Sequence, residues 1–133
     1  MRRQLAVPFL LAACLLTSVA LAAPDKVEVT FESFAASGVT GEAALKAMPT
    51  GEVQIHAALR GLEPGVEYAA LIYDQSGTCG EGTSNVQIIM FEANPAGIAT
   101  WNQKVERDLV TIESLGIRRV SDGVLQACAS VNL

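Results

Sequence analysis

The sequence predicts an all-β fold, an antiparallel Greek-key β-barrel or sandwich of about eight strands tied by one disulfide. Three observations carry this expectation. Short runs of apolar residues alternate with polar ones at the two-residue period of a strand. Turn-forming Gly, Pro and Asn break these runs about every 8–12 residues, the spacing of a sandwich or barrel. Two cysteines, Cys79 and Cys128, remain once an N-terminal leader is set aside.

Taken in order, Val27, Val29 and Phe31 alternate with Lys26, Glu28 and Thr30 in a half-buried first strand. Glu42 to Met48 has helix propensity, but it is short and lies between Gly41 and Pro49-Thr50-Gly51; the turn makes it a strand that pairs with the next one. Val53, Ile55, Ala57 and Leu59 alternate with Gln54, His56, Ala58 and Arg60 in that following strand. Glu63-Pro64-Gly65 is a turn, and 66–73 is apolar on both faces, as in a central strand. Asp74-Gln75-Ser76-Gly77 is turn chemistry. VQIIMF at 86–91 is strongly β-prone. Asn94-Pro95-Ala96-Gly97 returns the chain as a strand over 98–105, and the last strand runs over 124–131. Val105, Leu109 and Ile112 carry helical as well as strand spacing, so 105–114 reads as a strand or as a helical turn within a loop.

The leader has the form of a secretory signal. Arg2 and Arg3 precede an apolar run from Leu5 to Leu21, and Ala20-Leu21-Ala22 is a cleavage signature. This divides the chain into a signal peptide at 1–22 and one domain at 23–133, exported to the periplasm or secreted. A second reading makes Leu11-Ala12-Ala13-Cys14 a lipoprotein box with Cys14 lipidated; the apolar stretch that follows Cys14 is a poor flexible tether. Removing Arg2 and Arg3 from nine basic residues leaves seven against fourteen acidic ones, a net charge of −7. That balance excludes nucleic acid and anionic membrane surfaces as general partners. An even cysteine count in an exported chain argues for a Cys79–Cys128 disulfide, the alternative being two free buried thiols.

Two segments, GLEPGVEYAALIYDQSGTC at 61–79 and LQACASV at 125–131, resemble the copper/zinc superoxide dismutases. That family carries a G-x-V-x-V-x-G-x-V-x-G-L-x-P-G-x-H-G-F-H-I-H pattern, a loop to a cysteine, and a second cysteine in a terminal R-L-A-C-G-V-I strand. The resemblance implies the same barrel and disulfide. The same correspondence places Glu67 where the family has its bridging-side strand histidine, and Ala70 and Ile72 where it has two copper-binding histidines. It leaves only Gly80 to Ser84 for the zinc loop, supplies no histidine after Gly116-Ile117-Arg118-Arg119-Val120, and puts Leu125 at the steering arginine. The expectation is therefore a protein that is not an enzyme, with no catalytic, cofactor-binding or metal site and no cofactor. Gly61 to Tyr68 is also similar to the tyrosine corner of fibronectin type III modules, which makes an adhesion-type β-sandwich the second reading.

Other candidates are weaker. His56 is the only histidine and falls on the polar face of its strand. With Met48 and Met90 it offers a weak copper-binding alternative, against which the two methionines read as core packing. No serine has the partners of a nucleophile, and the acid pairs Glu106/Asp108 and Glu28/Glu32 read as solvated charge. What remains is binding of a protein partner, for which Trp101, in a polar strand, and the adjacent Arg118 and Arg119 form a candidate surface; the other reading of Trp101 is a cap on one end of the core. On a strand the two arginines face opposite sides.

Overall fold

Eight antiparallel strands form a nearly closed barrel in the computed structural model, which describes residues 25–74, 79 and 86–132. The expected signal peptide, Cys14, most of the turn at 74–77 and the short loop at 80–84 lie outside the described residues. The strands are β1 (Lys26–Ser33), β2 (Thr40–Ala47), β3 (Val53–Arg60), β4 (Glu67–Tyr73), β5 (Val86–Glu92), β6 (Ala99–Val105), β7 (Ser114–Arg119) and β8 (Leu125–Ser130). The segment 42–48 is a strand, as its flanking turn predicts. The ambiguous stretch after β6 resolves into one short 3-10 turn, Leu109–Thr111, whose buried Leu109 and the following Ile112 close the core from that side.

The hydrogen-bonded order is β5-β4-β7-β8-β1-β2-β3-β6. β3 skips its sequence neighbour to pair with β6, and β4 lies between β5 and β7, so the connections follow a Greek key. Register follows burial. On β2, Gly41, Ala43 and Leu45 point inward, opposite Leu59, Ala57 and Ile55 of β3. A one-residue slip would turn all of these to solvent, which is why the alternation fixes the pairing. Gly41 also lets the strands approach, because a Cβ there would overlap the Ala58 carbonyl and meet Leu59 Cα at 2.9 Å.

Two joins are thin. β1 pairs with β2 over six positions and with β8 over two, Glu32 with Cys128 and Ser33 with Ala127. Backbone and side-chain bonds extend this second join: Phe34 N–H and Ser37 Oγ both donate to the Gln126 carbonyl, at 2.9 Å and 2.5 Å. The other thin place is between β5 and β6, the two ends of the hydrogen-bonded order. Aromatic rings bridge that gap. Tyr68 of β4 stacks on Phe91 of β5 at 5.8 Å between centroids, and Phe91 meets Trp101 of β6 at 6.2 Å. Edge-to-face and offset ring contacts at these distances stabilise beyond their buried area.

Cys79 and Cys128 form the expected disulfide, with Cα atoms 6.0 Å apart. Cys128 is buried on β8, opposite Glu32 in the narrow β1–β8 join. Closing a loop of 49 residues removes unfolded-state freedom worth about 4 kcal/mol. Replacing both cysteines by serine is therefore expected to lower stability by about that amount, and a reductant should lower the unfolding midpoint of the wild type but leave the double variant unchanged in denaturant melts.

Candidate functional site

The positions that the family resemblance assigns to metal ligands lie along β4. Strand alternation sends Tyr68, Ala70 and Ile72 inward; Ala70 and Ile72 are 1% and 0% exposed and belong to the hydrophobic core. A ligand at either place would be shut inside the barrel, away from any dissolved substrate. Glu67 is exposed at the strand's start, and its N-terminal neighbours form the turn. The outer side of β4 carries Ala69, Leu71 and Tyr73, none of which offers an imidazole. Among the described residues no group of three or more His, Cys, Asp or Glu side chains converges as a metal site.

Tyr68 has a structural task. Its ring is 2% exposed, and its hydroxyl accepts a hydrogen bond from the Glu63 backbone N–H at 2.9 Å. The tyrosine thus pins the Glu63-Pro64-Gly65 turn to the strand that follows it. Gly61 begins the same corner with φ +75°, a left-handed conformation suited to glycine, and a Cβ there would overlap the Gly38 carbonyl.

Trp101 does not join the two arginines on a surface. It is 7% exposed and sits in the core against Phe91. Its polar neighbours Thr100 and Asn102 face out, and Trp101 shares the inward parity of Ala99, so it takes the core position rather than the surface one. The indole N–H finds no acceptor among the described residues, an arrangement that costs about 1–3 kcal/mol. The ring contacts that bridge the β5–β6 gap oppose that cost.

Arg118 and Arg119 do diverge. Arg118 lies over the outer side of β4, where its Nε donates to the Tyr73 hydroxyl at 2.8 Å and its Nη1 to the Gly123 carbonyl at 2.8 Å. Its guanidinium carbon stands 5.9 Å from the Tyr73 ring centre, within cation–π range. Gly116 makes room for that ring, since a Cβ there would meet Tyr73 Cε2 at 2.6 Å. Arg119 sits on the Tyr68 side and pairs with Asp122 at 2.6 Å. Hydrogen bonds from Arg119 and from the Val124 backbone N–H hold the Asp122 carboxyl below its ordinary pKa. Arg60 does the same for Glu42, and Arg107 for Asp74. The two β7 arginines thus serve as fasteners of the 120–124 turn and of Tyr73.

His56 is exposed on the outer face of β3, between Ala44 of β2 and Asn102 of β6. Met48 follows β2 and is half-buried, whereas Met90 is 44% exposed on β5. Core packing therefore does not describe Met90; it faces away from the barrel on a strand that, among the described residues, is hydrogen-bonded along one side only. Around the barrel β6 stands between the histidine's strand and that of Met90.

The chain is thus an eight-stranded, disulfide-tied antiparallel barrel whose interior is filled by side chains. No protein-family model and no curated protein matches its sequence.

Tyr68→Phe keeps the ring and removes the bond to Glu63, so a loss of about 0.5–1.5 kcal/mol in urea unfolding is expected. Trp101→Ala should cost about 3–5 kcal/mol in the same assay, and Trp101→Phe much less, because it discards the unpaired N–H with only part of the ring. The three depressed carboxyls give a second expectation. A carboxyl with a lowered folded pKa stabilises above its unfolded value and loses that contribution as the pH falls through the folded one. The melting midpoint should hold down to the ordinary carboxylate range and fall below it, and an NMR titration of Asp122 should move upward in Arg119→Gln.

Proposed function

We propose that this protein is an exported, non-catalytic relative of the copper/zinc superoxide dismutases, a binding or structural module that has the barrel without a metal site. The observation that carries the reading is β4: the residues matched to copper histidines are Ala70 and Ile72, both enclosed in the hydrophobic core. Neither side chain has a lone pair to give, and copper chemistry of this kind needs several nitrogen ligands on one centre. The eight-stranded barrel and the tie from the loop after β4 to the last strand support the relationship. Leu125, on β8, stands where the family has its steering arginine.

The fibronectin-type reading has one observation in its favour, the bond from the Glu63 N–H to the Tyr68 hydroxyl, which is how a tyrosine corner works. The strand count and the position of the disulfide favour the first reading over it.

The test is direct. Protein equilibrated with copper(II) and zinc(II) and then desalted should retain well under one equivalent of either metal, and it should dismute superoxide no faster than buffer. Stoichiometric copper together with dismutation would overturn the proposal.

A further inference from the structure

The chain has three lysines, Lys26, Lys46 and Lys104, separated in sequence by long intervals. The strand register brings all three into one row. Lys26 of β1 lies directly opposite Lys46 of β2, Lys46 opposite Gln54 of β3, and Gln54 opposite Lys104 of β6. All three lysines are exposed on the outer face. With neighbouring strands about 4.8 Å apart, the row spans three strand spacings, about 14 Å.

Like charges placed directly across an antiparallel pair destabilise the sheet. Here the chain sets two of its three lysines in that relation despite fourteen acidic residues with which to separate them. Lys26 has a carboxylate nearby, Glu28 at 3.9 Å, and both groups are largely solvated. Among the described residues no carboxylate lies within 4.0 Å of the Lys46 or Lys104 ammonium. Asp25, Glu52 and Glu106 fall just outside the strands, each next to a strand end.

The neighbouring rows add a second feature. Ala44 and Ala58 are small, and they leave a shallow trough edged by Glu28, Thr30, Glu42 and His56. Glu42 is occupied by a two-pronged bond to Arg60, at 2.7 and 3.0 Å. Gln54 donates to Asn102 at 3.1 Å, so uncharged amides stand between Lys46 and Lys104 and beside them. The face therefore offers a line of positive charge with amide and hydroxyl groups alongside.

We propose that this row binds a linear acidic polysaccharide running across β1, β2, β3 and β6, its carboxylates or sulfates meeting the lysines and its sugar hydroxyls meeting Gln54, Asn102 and His56. The choice of ligand follows from the geometry. Nucleic-acid binding rests on many phosphate contacts, and three cations in an acidic chain supply few. A flat anionic membrane surface would also meet the exposed acids beside the row, Asp25, Glu28 and Glu106. A single extended chain can follow the row and meet the lysines in succession. This goes beyond the reading of a binding module, and it does not depend on the relationship to superoxide dismutases.

The experiment is a titration of the purified protein with polygalacturonate at low salt, with neutral dextran, DNA and phosphatidylglycerol vesicles in parallel. Polygalacturonate should bind, salt should weaken it, and Lys46→Gln and Lys104→Gln should each lower affinity about fivefold. Lys46→Arg should retain binding, and Arg119→Gln, which alters a cation on the other side of the barrel, should leave it unchanged. An equal loss in Arg119→Gln would reduce the effect to net charge and overturn the proposal. So would absence of binding to polygalacturonate, or tighter binding to DNA or vesicles.

Discussion

The narrow join between β1 and β8 is the constraint on which the barrel depends. Six-position ladders hold β1 to β2 and β4 to β7, but only two register pairs carry the ladder from one half of the strands to the other. The disulfide lands on this join, because Cys128 is the β8 residue opposite Glu32. The covalent tie and the two extra bonds to the Gln126 carbonyl act at one place. Glu32 and Cys128 are far apart in sequence, so this contact carries much of the loop-closure entropy of the fold.

The opposite side of the barrel is closed differently. There the ladder ends at β5 and β6, and stacked rings take over from hydrogen bonds. Tyr68 takes part in both local and global order. Its ring begins the aromatic series, and its hydroxyl holds the turn that aims β4 into the core. The buried indole N–H of Trp101, without an acceptor among the described residues, is the cost of placing a large ring where only its shape is used.

The strands were legible because their alternation is clean: inward Val53, Ile55, Ala57 and Leu59 against outward Gln54, His56 and Arg60 leave one register. β6 was harder to read. Its inward side includes the half-buried Gln103 as well as Trp101, so the strand looks polar throughout. Met90 reads as a core residue for a related reason: an apolar run implies a core strand, and nothing local reveals that, among the described residues, β5 pairs on one side only. The absence of imidazoles at Ala70 and Ile72 is plain in the sequence, but their enclosure is a property of the fold. The lysine row was not legible at all, since positions 26, 46 and 104 become neighbours only through the pairing of four strands.

The half-covered β5 has a consequence for the protein's fate under stress. Val86 to Phe91 has strong β propensity and contains neither a charge nor a proline, the composition of segments that stack into fibrils. Natural sheets guard such edges with charges or bulges. Here the guards are Glu92 at one end, the bulge where β4 passes from Ala70 to Leu71, and the ring contacts to β6. Conditions that part those rings expose a template for other copies, so the aromatic closure protects solubility as well as shape.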